Sequence, residues 1–290
     1  MQRVIVVYNK NSSRAKYVKE EVIRPLQKKP GLLVGKYATR KTSLTDNAQR
    51  LAMILQDGDV VLVAGGDGTA SMAINGVMIS GRKVAMKLLP YGNFNDMARA
   101  WRGIPGEKWY PLEIKINGEH FWWVGGYCSI GMFAKSTGVF DEIDERATLQ
   151  RKDGGLACSI WMLMKWYFKN KKDRFLGEGK IDGQSWQMGM SDYLFINTER
   201  VARLMRTDGY GLERKKFYLS SGRLTSFWRL IWYMLKSILV RMPGEEVVES
   251  KVEFDNDTEV AIQVDGECNI IKKVKTIEVK KSKTYISIKV

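Results

Sequence analysis

Cysteine and histidine are scarce in this chain, and their scarcity sets several chemistries aside. The three cysteines, Cys128, Cys158 and Cys268, lie far apart, so neither a zinc ligand set nor a disulfide framework is expected. That usage fits a reducing cytosol. The one histidine, His120, falls in an apolar strand, where a structural role is expected of it. Long apolar runs are also missing. The longest apolar region, Phe227 to Val240, is broken by Arg229 and Lys236, whereas a bilayer-spanning helix needs roughly 20 predominantly apolar residues. At the N-terminus the apolar run Val4 to Tyr8 is too short for a signal-peptide core and reads as a first strand. Internal repeats and low-complexity segments are absent. So are the two common phosphate-binding fingerprints: there is no Walker Gly-Lys-Ser/Thr, and Ser71 stands where a dinucleotide motif would need its third glycine.

What is present bounds the answer from the other side. A chain of 290 residues leaves two domains or one large one open, and 44% hydrophobic residues suffice for a packed core. The formal net charge of +15 favours anionic partners: a phospholipid surface, nucleic acid or a polyphosphate ligand.

The organising stretch is Val60 to Met78, VVLVAGGDGTASMAINGVM. Val60 to Val63 reads as a buried strand, Ala64 to Thr69 as a glycine-rich turn, and Ala70 to Met78 as a helix. Three glycines, Gly65, Gly66 and Gly68, would let backbone N–H groups approach one anion. Asp67 would repel a bare phosphate, so the turn points to a metal-bound nucleotide or a phosphoacceptor hydroxyl. An ordinary strand-to-helix turn that uses glycine for geometry is the alternative.

Around this stretch the pattern alternates. A strand at Val4 to Tyr8, a helix at Ala15 to Gln27, a strand at Leu32 to Thr39, a helix at Leu44 to Leu55 and a strand at Val84 to Leu89 predict a parallel sheet covered by helices on both faces. Ligands of such sheets bind at the carboxyl ends of the strands. That rule gathers the turn Asn9 to Arg14, the region of Thr39, Gly65 to Thr69 and Pro90 to Asp96 at one edge. Asn95 or Asp96 could instead simply cap the helix that follows.

Beyond Gly103 to Lys108 short β-rich segments take over, from Pro111 to Ile116 onward, joined by turns such as Asn117-Gly118. The fold class expected is therefore an α/β N-terminal domain with a parallel sheet, plus a mostly antiparallel, sandwich-like second domain. Two helical stretches interrupt the strands, Leu156 to Lys169 and Thr225 to Met242, both rich in Trp, Tyr and basic residues. Either they favour an anionic bilayer interface, or their aromatics line a core or a lipid-chain pocket.

A family resemblance binds these pieces together. The Gly65 to Thr69 string, GGDGT, resembles the signature of the diacylglycerol kinase and sphingosine kinase superfamily, which NAD kinases share in part. Gly92-Asn93-Phe94-Asn95-Asp96-Met97-Ala98-Arg99 is similar to the Gly-Thr-x-Asn-Asp-Phe-Ala-Arg pattern of bacterial diacylglycerol-kinase-like lipid kinases, with Asn93 for Thr and Met97 for Phe. Asn9 to Arg14 resembles the family's Asn-Pro-x-Ser-Gly turn, with Lys10 for Pro and Ser13 for Gly. Late in the chain, Asp265-Gly266-Glu267 reads by itself as a type I′ hairpin turn. It also resembles the family's Asp-Gly-Glu signature, whose Glu is assigned as proton acceptor.

The resemblance implies an ATP- and Mg²⁺-dependent lipid kinase acting on a hydroxyl of diacylglycerol or a related lipid. Catalytic roles fall to Glu267, Asp67 and Asp265. Nucleotide contacts fall to Asn9, Ser13, Arg14, Thr39, Gly65, Gly66, Asp67, Gly68, Thr69, Ala70, Ser71, Gly92, Asn93 and Asp96. Bacterial members hold a structural magnesium on an Asp-Asp-Gly loop, for which the best equivalent here is Asp208, with Glu213 the alternative. The nucleotide-binding domain is expected over 1–110, with the tail at about 283–290 allowed to return to it, and the lipid domain over 111–282. A cytoplasmic protein peripheral at an anionic membrane follows, with no nucleic-acid partner and a homodimer left open. The rivals are an NAD-kinase-like or other soluble-alcohol kinase, and an inactive basic membrane-binding homologue.

Overall fold

The computed structural model describes residues 1–92, 95–102, 106–131, 133–135, 177–181, 184–188, 191–201, 205–207, 210–223 and 227–289. Asn93, Asp208 and the helical stretch expected over Leu156 to Lys169 lie outside them. Strands are numbered in chain order.

Among the described residues the first sheet runs β2 (Leu32–Ala38), β1 (Gln2–Tyr8), β3 (Val60–Gly65), β4 (Ala85–Pro90), β18 (Ile286–Ile288), β5 (Lys108–Trp109). Every pairing is parallel except β18 with β5. Alternation along β1 explains why helices cover both faces, since successive side chains of a strand point to opposite sides. Val4, Val6 and Tyr8 pack with Val18, Val22 and Ile23 of the helix at 15–27. Ile5 and Val7 share the other core with Ala48 and Leu51 of the helix Leu44–Ile54 and with Met72 and Ile74 of the helix Asp67–Ser80.

Among the described residues the second sheet is antiparallel and forms one hydrogen-bonded surface of ten strands. Its main path is β15 (Glu245–Val247), β14 (Phe217–Arg223), β11 (Ser191–Ile196), β8 (Tyr127–Gly131), β16 (Glu249–Val264), β17 (Glu267–Lys281), β6 (Leu112–Ile116), β7 (Glu119–Val124). β9 (Gly177–Ile181) pairs with β16 and with β10 (Gln184–Met188), and β12 (Arg200–Val201) pairs with β13 (Met205–Arg206) outside this sheet.

The two sheets meet through the helix Asp67–Ser80. Its residues Ala70 to Val77 are all buried, as expected of a helix packed on more than one side. Met72 and Ile74 share a core with Trp122, Val124 and Ile262 of the second sheet. Polar contacts fix the seat. The Asn75 amide donates to Trp123 O (2.7 Å) and accepts from Trp123 N (2.9 Å), so it completes the bonding of the edge strand β7 as a neighbouring strand would. The Trp122 indole donates to the Ser71 hydroxyl at 3.0 Å.

Candidate active site

The parallel register brings the ends of the first four strands level. Tyr8 pairs with Ala38 and Ala64, and Gly65 with Pro90. The turns after β1, β2, β3 and β4 therefore share one edge, with Asn9, Ser13, Arg14, Thr39 and Gly65 to Thr69 among them. The turn after β1 is built by its own side chains: Asn9 Oδ1 accepts from Asn11 N (2.9 Å) and Ser12 Oγ from Arg14 N (3.2 Å). Thr39 N donates to Tyr8 O at 2.9 Å, which ties the second turn to the first.

The glycine string differs from the expected turn. The helix starts at Asp67, so Gly66 is its N-cap and Asp67, Gly68 and Thr69 form its first turn. This aims the positive end of the helix dipole, with its unshared N–H groups, at the strand edge. Ala70 lies past that end, because its N–H already bonds Gly66 O at 3.0 Å. The turn after β4 lies directly on this cap. A Cβ added at Gly92 would stand 2.1 Å from Gly66 Cα, so only glycine permits the approach. Asn95 holds that turn by accepting from Gly92 N (3.0 Å) and donating to Gly92 O (2.8 Å), and does not cap the helix Asp96–Ala100 with its side chain.

Four acids converge here from three distant parts of the chain. Asp67 accepts from Asp96 N and Met97 N, each at 3.1 Å. Asp96 is buried and pairs with Arg99 at 3.0 Å. Asp265 and Gly266, both at positive φ, form the two-residue tip of the β16–β17 hairpin, as a type I′ turn requires. Glu267 follows, and its Oε1 would lie 3.0 Å from a Cβ added at Gly68. The hairpin tip is thus seated against the first turn of the glycine-string helix.

Asp265 holds this tip in place. One oxygen accepts from Gly126 N (2.8 Å) and Tyr127 N (3.0 Å), the other from Gly125 N (3.0 Å). Ser71 supports the same carboxylate through its hydroxyl. Ser71 therefore faces Asp265 and Trp122 and is fully buried. Sequence reasoning missed this job, because a serine on a helix carries no local mark of which distant carboxylate it will meet.

Crowding raises the proton affinity of the site. Burial, then the charge of Asp96, pushes the Asp67 carboxyl up to about 7, against the two backbone N–H groups that favour its ionised form. Burial raises Asp265 as well, opposed by its hydrogen bonds to Ser71 and to the 125–127 backbone. The Tyr127 phenol is raised first by burial and then by Asp96, Asp67 and Asp265. Such an excess of hard anionic oxygens suits a magnesium ion, which is commonly held by one or two carboxylates together with substrate phosphates. Among the described residues no group of three or more His, Cys, Asp or Glu forms a cage for a metal by itself.

A buried cation, Lys281, contacts Tyr210 beside the loop expected to hold a structural metal. Asp208 lies outside the described residues, while the Lys281 ammonium donates to Tyr110 O, Tyr210 O and Asn197 Oδ1. Burial pulls Lys281 down to about 7, and the Glu213 charge acts the other way. Nothing in the sequence around Lys281 had singled it out.

Comparison with known proteins supports the same family. A model of the diacylglycerol kinase catalytic domain matches residues 3–120. Over those residues the chain is similar to the diacylglycerol kinase catalytic-domain family. The chain is 30% identical over 136 residues to a diacylglycerol kinase of Bacillus subtilis, covering 42% of this chain and 44% of that one. It is 30% identical over 121 residues to a diacylglycerol kinase of Staphylococcus saprophyticus, covering 40% and 38%. These matches span less than half of either relative. A crystal structure described as a diacylglycerol kinase from Bacillus anthracis shares the fold over 99% of this chain and 96% of its own, with a TM-score of 0.66 at 16% identity. The matched residues thus include the glycine string and Asp96, while the hairpin with Asp265 and Glu267 comes from beyond them.

Proposed function

We propose that this protein is an ATP-dependent lipid kinase that transfers the γ-phosphoryl group to a hydroxyl of diacylglycerol or a related lipid. One observation supports this above the others: Glu267, from the second sheet, stands against the first turn of the helix that Gly66 caps. A donor nucleotide and an acceptor alcohol need that juxtaposition of anion-binding backbone and carboxylate.

In this reading the helix N-terminus at Asp67 to Thr69 receives the phosphates, and the turns at Asn9 to Arg14, Thr39 and Gly92 to Asp96 surround the nucleotide. Asp67 and Asp96 would hold magnesium, whose chemistry is to neutralise charge on the phosphates. Glu267 accepts the proton of the attacking hydroxyl, a role worth typically 10²–10⁴-fold in rate. Asp265, anchored by three backbone N–H groups, fixes where Glu267 points. No helix among the described residues is long and apolar enough to cross a membrane, so the protein would reach its lipid from the surface of a cytoplasmic membrane.

Incubation with labelled ATP, magnesium and a panel of lipid and soluble alcohols tests the assignment. Label should enter diacylglycerol or a close relative. Label entering only a soluble acceptor such as NAD would reject the lipid, and no transfer to any acceptor despite nucleotide binding would reject the kinase.

A further inference from the structure

The helix Phe227–Leu239 packs on the second sheet with one side and presents the other to solvent. Tyr233 and Ser237 are buried, with the Tyr233 hydroxyl 2.7 Å from Ser220 Oγ and the Ser237 hydroxyl donating to Tyr233 O. The opposite face is apolar instead of polar. Trp228 is 76% exposed, Trp232 61%, Leu235 51% and Leu239 72%. At about 100° per residue these four fall within an arc of about 60°. Single exposed apolar residues are ordinary, but a continuous stripe of two tryptophans and two leucines marks an interaction surface.

Charge identifies the partner. From Arg214 to Gly244 the chain holds seven basic residues, Arg214, Lys215, Lys216, Arg223, Arg229, Lys236 and Arg241, and no Asp or Glu. On the helix itself Arg229 and Lys236 border one edge of the stripe, and the Lys236 ammonium lies 4.9 Å from the Trp232 ring centroid. Tryptophan at the boundary of an apolar face, with cations alongside, suits the headgroup layer of an anionic bilayer. There the ring enters the acyl boundary while the cations meet phosphate. A protein groove would supply neither the uniform negative charge nor the flat geometry that this stripe matches.

We propose that the helix Phe227–Leu239 docks this protein flat on an anionic phospholipid surface through Trp228, Trp232, Leu235 and Leu239, with Arg229 and Lys236 on the headgroups. The proposal deepens the lipid-kinase reading and rests on it for the choice of a bilayer as occupant.

Co-sedimentation of the full chain, without nucleotide, on phosphatidylcholine vesicles with and without phosphatidylglycerol tests it. The wild type should bind the phosphatidylglycerol vesicles, less so as salt rises. The exposed double variant Trp228→Ser/Trp232→Ser should keep its melting temperature and bind at least about tenfold more weakly. Arg229→Gln or Lys236→Gln should each weaken binding to the anionic vesicles about fivefold and leave phosphatidylcholine binding unchanged. Unchanged vesicle binding in all three variants overturns the proposal. So does a wild-type dimer that the double variant converts to monomer while vesicle binding persists, since the stripe is then a contact between copies. Turnover of a dispersed short-chain diacylglycerol separates the two readings. If it is absent while helix-dependent vesicle binding holds, the kinase reading fails and the docking surface stands.

Discussion

Two of the places where charge is buried among the described residues differ in the partners they offer it. Lys281 stands among three oxygens, Tyr110 O, Tyr210 O and Asn197 Oδ1, one for each hydrogen of an ammonium group. The acids at the strand edge are assembled the other way. Asp67 has two backbone N–H donors but shares its surroundings with Asp96 and Asp265, and like charges in a half-buried place are mutually unfavourable. The lysine closes a structure, whereas the carboxylates leave a charge imbalance that a metal, a proton or a hydroxyl would relieve. A buried charge therefore points to function by the balance of its partners more than by its burial.

Substitutions can break this contrast. The largest effect is expected of Glu267→Gln, which should lower phosphoryl transfer by about 10²- to 10⁴-fold with little change in melting temperature; full turnover in that variant would remove Glu267 from the chemistry. Lys281→Met leaves the buried Asn197 Oδ1 without its ammonium donor, while Tyr110 O still accepts from Asn197 Nδ2 and Tyr210 O from Glu213 N, and should cost on the order of 1–3 kcal/mol in urea unfolding. Because Lys281 does not touch the acids, nucleotide affinity measured on the folded variant should stay near that of the wild type. A variant that loses affinity but not stability would exchange the roles assigned to the two places.

The pH dependence of stability sharpens the same comparison. The Asp67 pKa is raised from 3.8 to about 7, so between those values the folded chain holds a proton that the unfolded chain has released, and stability falls as pH rises. Lys281 is lowered from 10.5 to about 7, so between about 7 and 10.5 the unfolded chain holds the extra proton and stability rises with pH. Together the two groups favour a minimum near neutrality in the ligand-free protein. Thermal melts across pH should show Asp67→Asn flattening the acid limb and Lys281→Met the alkaline one; an acid limb unchanged in Asp67→Asn would refute the assignment. The smallest effect belongs to Ser71→Ala, which removes the hydroxyl between Trp122 and Asp265 and should cost about 1 kcal/mol.

The alternation of strands and helices was legible because burial on both faces of a parallel strand demands apolar residues at successive positions, as in Val4 to Tyr8. The glycine string was legible too, although its helix begins at Asp67 and not at Ala70. Placing that start needed the cap geometry, since a glycine following an acid is locally a poor helix signal. Asp265-Gly266 could be read as a turn and as part of a family signature. The structure shows the turn, and its tip lies at the proposed site. Ser71, Asn75 and Lys281 gave no warning, because each acts on a group at least 48 residues away. The exposed Trp228 and Trp232 were ambiguous for a related reason: helical spacing shows that residues share a face, but not which face meets the sheet.

The order of residues by itself determined the alternating architecture, the glycine string and the chemical character of each candidate acid, for these follow from local periodicity, backbone freedom and side-chain type. Tertiary structure alone decided which acids meet and how strongly they hold protons. It also decided which lysine is enclosed and which face of a tryptophan-rich helix remains in water. Those properties depend on distances between segments far apart in the chain, and electrostatics and burial respond to separation in space.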